Sequence, residues 1–161
     1  MDKIFQSVAA IRFSDCDPLG HLNNQRYMDY FLNAREDQLK KYLNFDIYEY
    51  AKLTGNIWVM FQNQITFIKP VYYNKDVLIT SSMFRVTDKS IHVEMQMLNE
   101  DGTKLHAMVW MIAVHINMKN ETSCPTPPDI LETLMSRVEP IEQQDYQERV
   151  KFLQQKYFNK K

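Results

Sequence analysis

The 161-residue sequence predicts an α+β domain: one antiparallel five-stranded sheet wrapped around a single long central helix, with a helical extension at the C-terminus. Three observations predict it. A helical pattern from Gln25 to about Tyr42 carries an apolar surface too broad for a helix lying lightly on a surface. The strand-like runs after it are joined by connections of a few residues, as antiparallel hairpins are. The last of these runs, Lys104 to Ile116, is apolar on both faces in its middle, as a central strand would be.

In chain order, residues 3–13 read as a first strand. In the helix, Tyr27, Tyr30, Phe31 and Ala34 form one apolar stripe, widened by Met28, Leu32 and Leu39. Glu36–Lys40 and Asp37–Lys41 are i,i+4 pairs that mark its solvent face. A polar connection leads to a strand from Ile57 to Lys69, ended by Pro70, which cannot donate to a ladder. Asp76 to Val86 is the next strand and Ser90 to Leu98 the one after it. The latter alternates cleanly, Ile91, Val93, Met95 and Met97 against His92, Glu94 and Gln96. The turn Asn99-Glu-Asp-Gly102 leads into Lys104 to Ile116. Beyond Cys124-Pro-Thr-Pro-Pro128, Asp129 to Met135 and Ile141 to Phe158 read as helices. The domain is taken as 1–136 and the extension as 137–161.

Composition narrows the function classes. Nineteen Lys and Arg against 20 Asp and Glu give a net charge of −1, so no nucleic-acid partner is expected. The sequence opens without the apolar run of a signal peptide, and no stretch reaches the roughly 20 apolar residues of a membrane span. With two cysteines far apart, Cys16 and Cys124, the expectation is a cytoplasmic protein with no membrane partner. His21, His92, His106 and His115 show no i,i+4 pairing and no cysteine cluster, so no metal site is expected. No Gly-x-Ser-x-Gly elbow supports a serine hydrolase. Cys16, between two acids, is disfavoured as a thiolate and reads as a small packing residue.

The chemistry concentrates between the first strand and the helix, in Asp15-Cys-Asp-Pro-Leu-Gly-His-Leu-Asn-Asn-Gln-Arg-Tyr27. A carboxylate is ionised at neutral pH and can attack a carbonyl carbon or take a proton from water. The first N–H groups of a helix lack intrahelical partners and lie at the positive end of its dipole, where they polarise a carbonyl. Taken alone, Asp-Pro is more often simply a turn, and Asn23 or Asn24 simply an N-cap.

With Tyr30-Phe31 and Ala34-Arg35 following it, this stretch resembles the signature of the hotdog-fold acyl-CoA thioesterases, in particular the 4-hydroxybenzoyl-CoA thioesterase-like group, over about residues 3–118. The resemblance implies hydrolysis of acyl-CoA thioesters, with coenzyme A entering as part of the substrate and no separate cofactor. It assigns the catalytic carboxylate to Asp17 and the oxyanion-binding amide to the helix start near Asn24. His21 is placed beside them, either on the substrate or orienting the loop, and Asp15 in loop structure. Gly20, Asn23, Tyr27 and Lys89 are the candidate substrate-binding positions, with Gly20 admitting an unusual backbone conformation and keeping bulk away from the acyl group. Lys89, in Thr87-Asp-Lys-Ser90, matches a position where relatives are basic, although Asp88 stands beside it. The His-Leu-Asn-Asn run is similar to the version in fatty acyl-CoA and acyl-ACP thioesterases, which favours aliphatic acyl groups. The family also implies a homodimer or homotetramer with sites at the subunit interface. The alternatives are a non-catalytic acyl-binding hotdog protein, an acyl-ACP thioesterase and a hotdog hydratase.

Overall fold

A computed structural model describes residues 2–158 of the chain. Five strands, β1 (Ile4–Ala10), β2 (Asn56–Phe67), β3 (Asp76–Val86), β4 (Ser90–Asn99) and β5 (Leu105–Asn117), form one antiparallel sheet in the order β1-β3-β4-β5-β2. A two-residue strand, β6 (Thr122–Ser123), adds to the end of β5. The helix α1 (Tyr27–Leu43) lies across the inner face of this sheet, as expected of the hotdog fold. Short connections explain the antiparallel order, since the β3–β4 and β4–β5 turns are too short for a crossover.

Three bulges let the sheet curl. Phe61 in β2, Phe84 in β3 and His106 in β5 each stand opposite no partner, so two residues face one at those places.

The helix is held by its stripe. Tyr27, Phe31, Ala34 and Gln38 are buried and face Val77, Ile79, Val93, Met95, Ala107 and Val109 of the sheet. Gln38 belongs to the stripe because its polar atoms are matched: its Nε2 donates to Ile79 O and Ser7 Oγ, both at 3.0 Å. The helix ends at Asn44, in the left-handed region at φ 49°, whose N–H returns to Leu39 O and Lys40 O.

The polar connection after α1 in fact contains a helix, α2 (Ile47–Thr54). Asp46 caps it, its Oδ1 accepting from Tyr48 N (2.9 Å) and Glu49 N (3.0 Å), and Gly55 at φ 72° closes it. The helix α3 (Pro128–Ser136) matches its expected span, whereas α4 (Tyr146–Phe158) starts five residues later than predicted.

The extension is packed on the outer face of the sheet. From α4, Tyr146, Val150 and Leu153 bury themselves against Leu98, Leu105, Met108 and Trp110. Tyr146 Oη donates to Thr66 Oγ1 at 3.0 Å. The sheet therefore has helix on both faces, which is why β5 is apolar on both and why Glu94, on the expected polar face of β4, is 2% exposed. No helix among the described residues is long and apolar enough to cross a membrane.

Candidate active site

The loop between β1 and α1 is built around the carboxylate of Asp17. Its Oδ1 accepts from Leu19 N at 2.9 Å and His21 N at 3.2 Å. The Asp17 N–H donates to His21 O (2.8 Å) and Gly20 N–H donates back to Asp17 O (3.0 Å). These bonds close a tight turn over residues 17–21 and fix the side chain by one oxygen, leaving Oδ2 without a protein partner among the described residues. Gly20 is needed here for its backbone, at φ +77°. A Cβ added there would have no atom within 4 Å, so crowding within the chain is not its reason.

The loop is then fastened to the segment between β2 and β3, which the sequence reading did not single out. Leu22 N donates to Val71 O (2.8 Å), Tyr73 N to Gly20 O (3.0 Å), and the His21 ring packs edge-on against Tyr72 at 4.6 Å. The run Val71-Tyr-Tyr73 after Pro70 was the available signal.

Asp15 has a different setting from Asp17. Its Oδ2 accepts from Tyr30 Oη at 2.8 Å, and that hydroxyl accepts from Arg12 N at 3.0 Å. Arg26 Nε lies 3.8 Å from its other oxygen. Burial raises the pKa of Tyr30, with the neighbouring Asp15 adding to the shift against a hydrogen bond at Arg12. Asp15 thus ties the loop to α1. Burial, and then the charges of Asp15 and Asp17, push the Cys16 thiol up, away from thiolate chemistry.

At the start of the helix a single 3-10 turn, Asn24–Arg26, precedes α1. Asn23 caps it, its Oδ1 accepting from Gln25 N at 3.0 Å, so Asn23 is occupied in capping. The Asn24 N–H, first in the turn, has no acceptor among the described residues. Tyr27 is buried with its ring on Phe67 (5.0 Å); burial raises its pKa and the Asp17 charge adds a smaller push, against a hydrogen bond at Val71. The structure thus brings Asp17, Gly20, His21, Asn23, Asn24 and Tyr27 to one end of α1.

Lys89 is elsewhere. It sits in the β3–β4 turn, where its carbonyl accepts from His115 N at 2.8 Å, while the Asp17 loop packs near the opposite end of β3. An 11-residue strand separates them, on the order of 30 Å. Within one chain Lys89 is not part of the site.

The family follows from comparison. The profile of the thioesterase-like superfamily matches residues 11–134, which includes the whole Asp17 loop, α1 and the strands β2 to β5. The chain belongs to the thioesterase-like superfamily. Solved structures share this superfamily member's fold. A 1,4-dihydroxy-2-naphthoyl-CoA thioesterase from Synechocystis is 13% identical with a TM-score of 0.75, covering 82% of this chain and 96% of that one. A Staphylococcus aureus protein solved in complex with CoA is 16% identical, with a TM-score of 0.76 and coverage of 91% and 93%. A probable thioesterase from Escherichia coli is 23% identical, with a TM-score of 0.70 and coverage of 84% and 99%. A search of curated proteins returns no match.

Proposed function

We propose that this protein hydrolyses acyl-CoA thioesters, with Asp17 as the acting carboxylate and the Asn24 N–H as donor to the oxyanion. The observation that carries the reading is the placement, at one end of α1, of a carboxylate pinned by one oxygen and an unpartnered N–H in the 3-10 turn that leads into the helix. The free Oδ2 either takes a proton from a water that attacks the carbonyl carbon or attacks that carbon itself. In the first case the water oxygen joins the acyl carbon as the C–S bond breaks; in the second the carboxylate forms a mixed anhydride as the C–S bond breaks, and a water then hydrolyses that anhydride and restores Asp17. In both the CoA thiolate leaves and takes up the proton given by the water, and the acid is released. The oxyanion formed on the way gains from the Asn24 N–H, a type of donor whose loss costs roughly 100- to 1,000-fold in rate.

The site is proposed to be completed by a second copy. The edge strand β2 pairs with β5 on one side and with no strand on the other among the described residues, and it presents Val59–Gln64 exposed, with Phe61 74% exposed, a surface that aggregates unless covered. Antiparallel pairing of two β2 strands about a two-fold axis sets the Asn56 end of one beside the Phe67 end of the other. Tyr27 and the Asp17 loop lie at the Phe67 end, and Lys89 at the other, through its bond to His115 opposite Trp58. In such a homodimer the partner's Lys89 approaches this chain's site, where it would meet the phosphates of CoA; a homotetramer of such dimers is compatible with it.

The test is release of free thiol from a panel of acyl-CoAs. Aliphatic chains of medium or greater length should outperform acetyl-CoA, as each buried methylene adds about 0.8 kcal/mol. No thiol from any member of the panel would remove the reading. Label from H2(18)O appearing in Asp17 after a single turnover would identify it as nucleophile. One observation favours a second reading: the bonds of Asp17 to Leu19 and His21 explain its presence as loop closure alone. A non-catalytic acyl-binding protein would bind acyl-CoA without thiol release, and acyl-ACP in place of acyl-CoA would identify the carrier.

A further inference from the structure

At the β1 edge of the sheet, the opposite edge from β2, two arginines close on one ring. The guanidinium carbons of Arg35, on α1, and Arg137, which ends α3, each stand 5.7 Å from the ring centroid of Phe5 on β1. Three elements bring them there. Phe5 pairs with Ser81 of β3, and Arg35 Nη1 donates to Ser81 Oγ at 3.1 Å. Two residues along β3, Met83 bridges Val138, which sets Arg137 against the start of β1, where its Nη1 donates to Asp2 O at 3.0 Å. Tyr42 stacks on Phe5 at 4.6 Å and fixes the ring between them.

Neither guanidinium has a carboxylate within 4.0 Å among the described residues. The neighbouring acids are engaged elsewhere: Glu139 lies 3.6 Å from Lys3, and Glu36, beside Arg35 in sequence, lies 2.8 Å from Lys40. The hydroxyl and the carbonyl that the two arginines do reach are neutral, and Arg137 Nε is buried without an acceptor. Burial pulls the Arg35 pKa down to about 10, so it remains charged at neutral pH. One arginine on an aromatic ring is ordinary packing. Two on the same ring repel each other, and the ring supplies no countercharge to either. A carboxylate would neutralise one of them. Two forks arriving from different elements, with two uncompensated charges, match a dianion that offers oxygens on several sides.

We propose that Arg35 and Arg137 bind a phosphate dianion, free or as the head of a phosphate monoester, at the Phe5 edge of the sheet. The site is separate from the Asp17 loop and from the β2 edge, and it does not rest on thioester hydrolysis.

Titration calorimetry of the full chain at about pH 8, where a phosphate carries close to two charges, tests this with inorganic phosphate, glycerol 3-phosphate and acetate at constant ionic strength. At least one of the two phosphates should bind about tenfold or more tighter than acetate, as expected of a second charge-assisted contact. A preference for inorganic phosphate assigns the site to the free ion, and a preference for glycerol 3-phosphate assigns it to an ester head. Arg35→Gln and Arg137→Gln should each bring phosphate down to the level of acetate, and Arg137→Lys should keep part of the difference. The parent should melt higher in phosphate than in acetate, and the two Gln variants should not. Lys89→Gln, at the other end of β3, should bind phosphate as the parent does. Equal affinities for phosphate and acetate, a preference that survives either Gln variant, loss of phosphate in Lys89→Gln, or no binding of either phosphate would each overturn the proposal.

Discussion

Arg149 on α4 grips Glu94 on β4 with two parallel bonds, Nε to Oε2 at 2.8 Å and Nη2 to Oε1 at 2.9 Å, on the outer face of the sheet. Trp110 Nε1 (2.9 Å) and Gln96 Nε2 (2.7 Å) also donate to that carboxylate, so every oxygen of a nearly inaccessible acid is matched. This one pair joins the C-terminal extension to the middle of the fold.

Arg149→Ala should therefore destabilise the protein by roughly 3–5 kcal/mol, the scale for stranding a buried charge. Urea denaturation at pH 7 measures it. Burial pushes the Glu94 pKa up, but the bonds from Arg149 and Trp110 outweigh it and the net shift is downward from 4.5. A depressed acid stabilises the fold above its unfolded pKa and loses that contribution as pH falls through the folded value. In the parent the Glu94 contribution should be complete above about pH 4.5 and fade below it; in Arg149→Ala that fading should be absent. A truncation after Arg137 should lose more stability than Arg149→Ala, since the packing of Tyr146, Val150 and Leu153 goes with it, and should also bind a hydrophobic dye, since Met108 and Trp110 lose their cover.

Asp17→Asn should cut thioester hydrolysis by at least about 100-fold while leaving the melting temperature nearly unchanged. The amide oxygen of Asn can still accept from Leu19 N and His21 N, so the loop keeps its shape and loses only the ionised oxygen. Asp15→Asn should be milder in rate, because its partner Tyr30 Oη can still donate to the amide oxygen. Equal losses at both positions would mean the two roles are misassigned.

Gly20→Ala should cost about 1–2 kcal/mol through local crowding of the new Cβ against its own backbone at φ +77°, with no clash against the rest of the fold since the added methyl meets open space there. A guanidinium melt of the variant beside Gly20→Asn separates the two causes: Asn tolerates this conformation better, so it should lose less than Ala.

Phe61→Lys places a charge on the bulge of the exposed edge strand. Sedimentation should find it monomeric where the parent is dimeric, and thiol release should fall with the dimer. An active monomer would remove the second copy from the site.

How far these features could be read from sequence depends on how local their causes are. Val93, Met95 and Met97 alternate within one strand, so β4 was legible from neighbours alone. The Asp17 turn was legible too, because all of its partners lie within four residues. The helix α2 was overlooked although Asp46 and Gly55 bracket it as cap residues; only Tyr50 and Ala51 are buried in its eight residues, too few for a clear period. The union of Glu94 with Arg149 spans 55 positions, and nothing at either residue announces the other. Lys89 was grouped with Asp17 by resemblance, a grouping that needs a second chain to be met in space. The meeting of Arg35 with Arg137 at Phe5 follows only from the approach of α1, α3 and β1.

The placement of α4 also sets an order of events during synthesis. Its 13 residues are made after every strand, yet they cover side chains made some 40 positions earlier, such as Met108 and Trp110. A ribosome-bound chain that has already closed its sheet on α1 still shows water an aromatic, a thioether and an uncompensated Glu94 until residue 149 clears the exit tunnel. A pause in translation before that point would hold a nascent chain whose outer sheet face is open to chaperones and to other nascent chains.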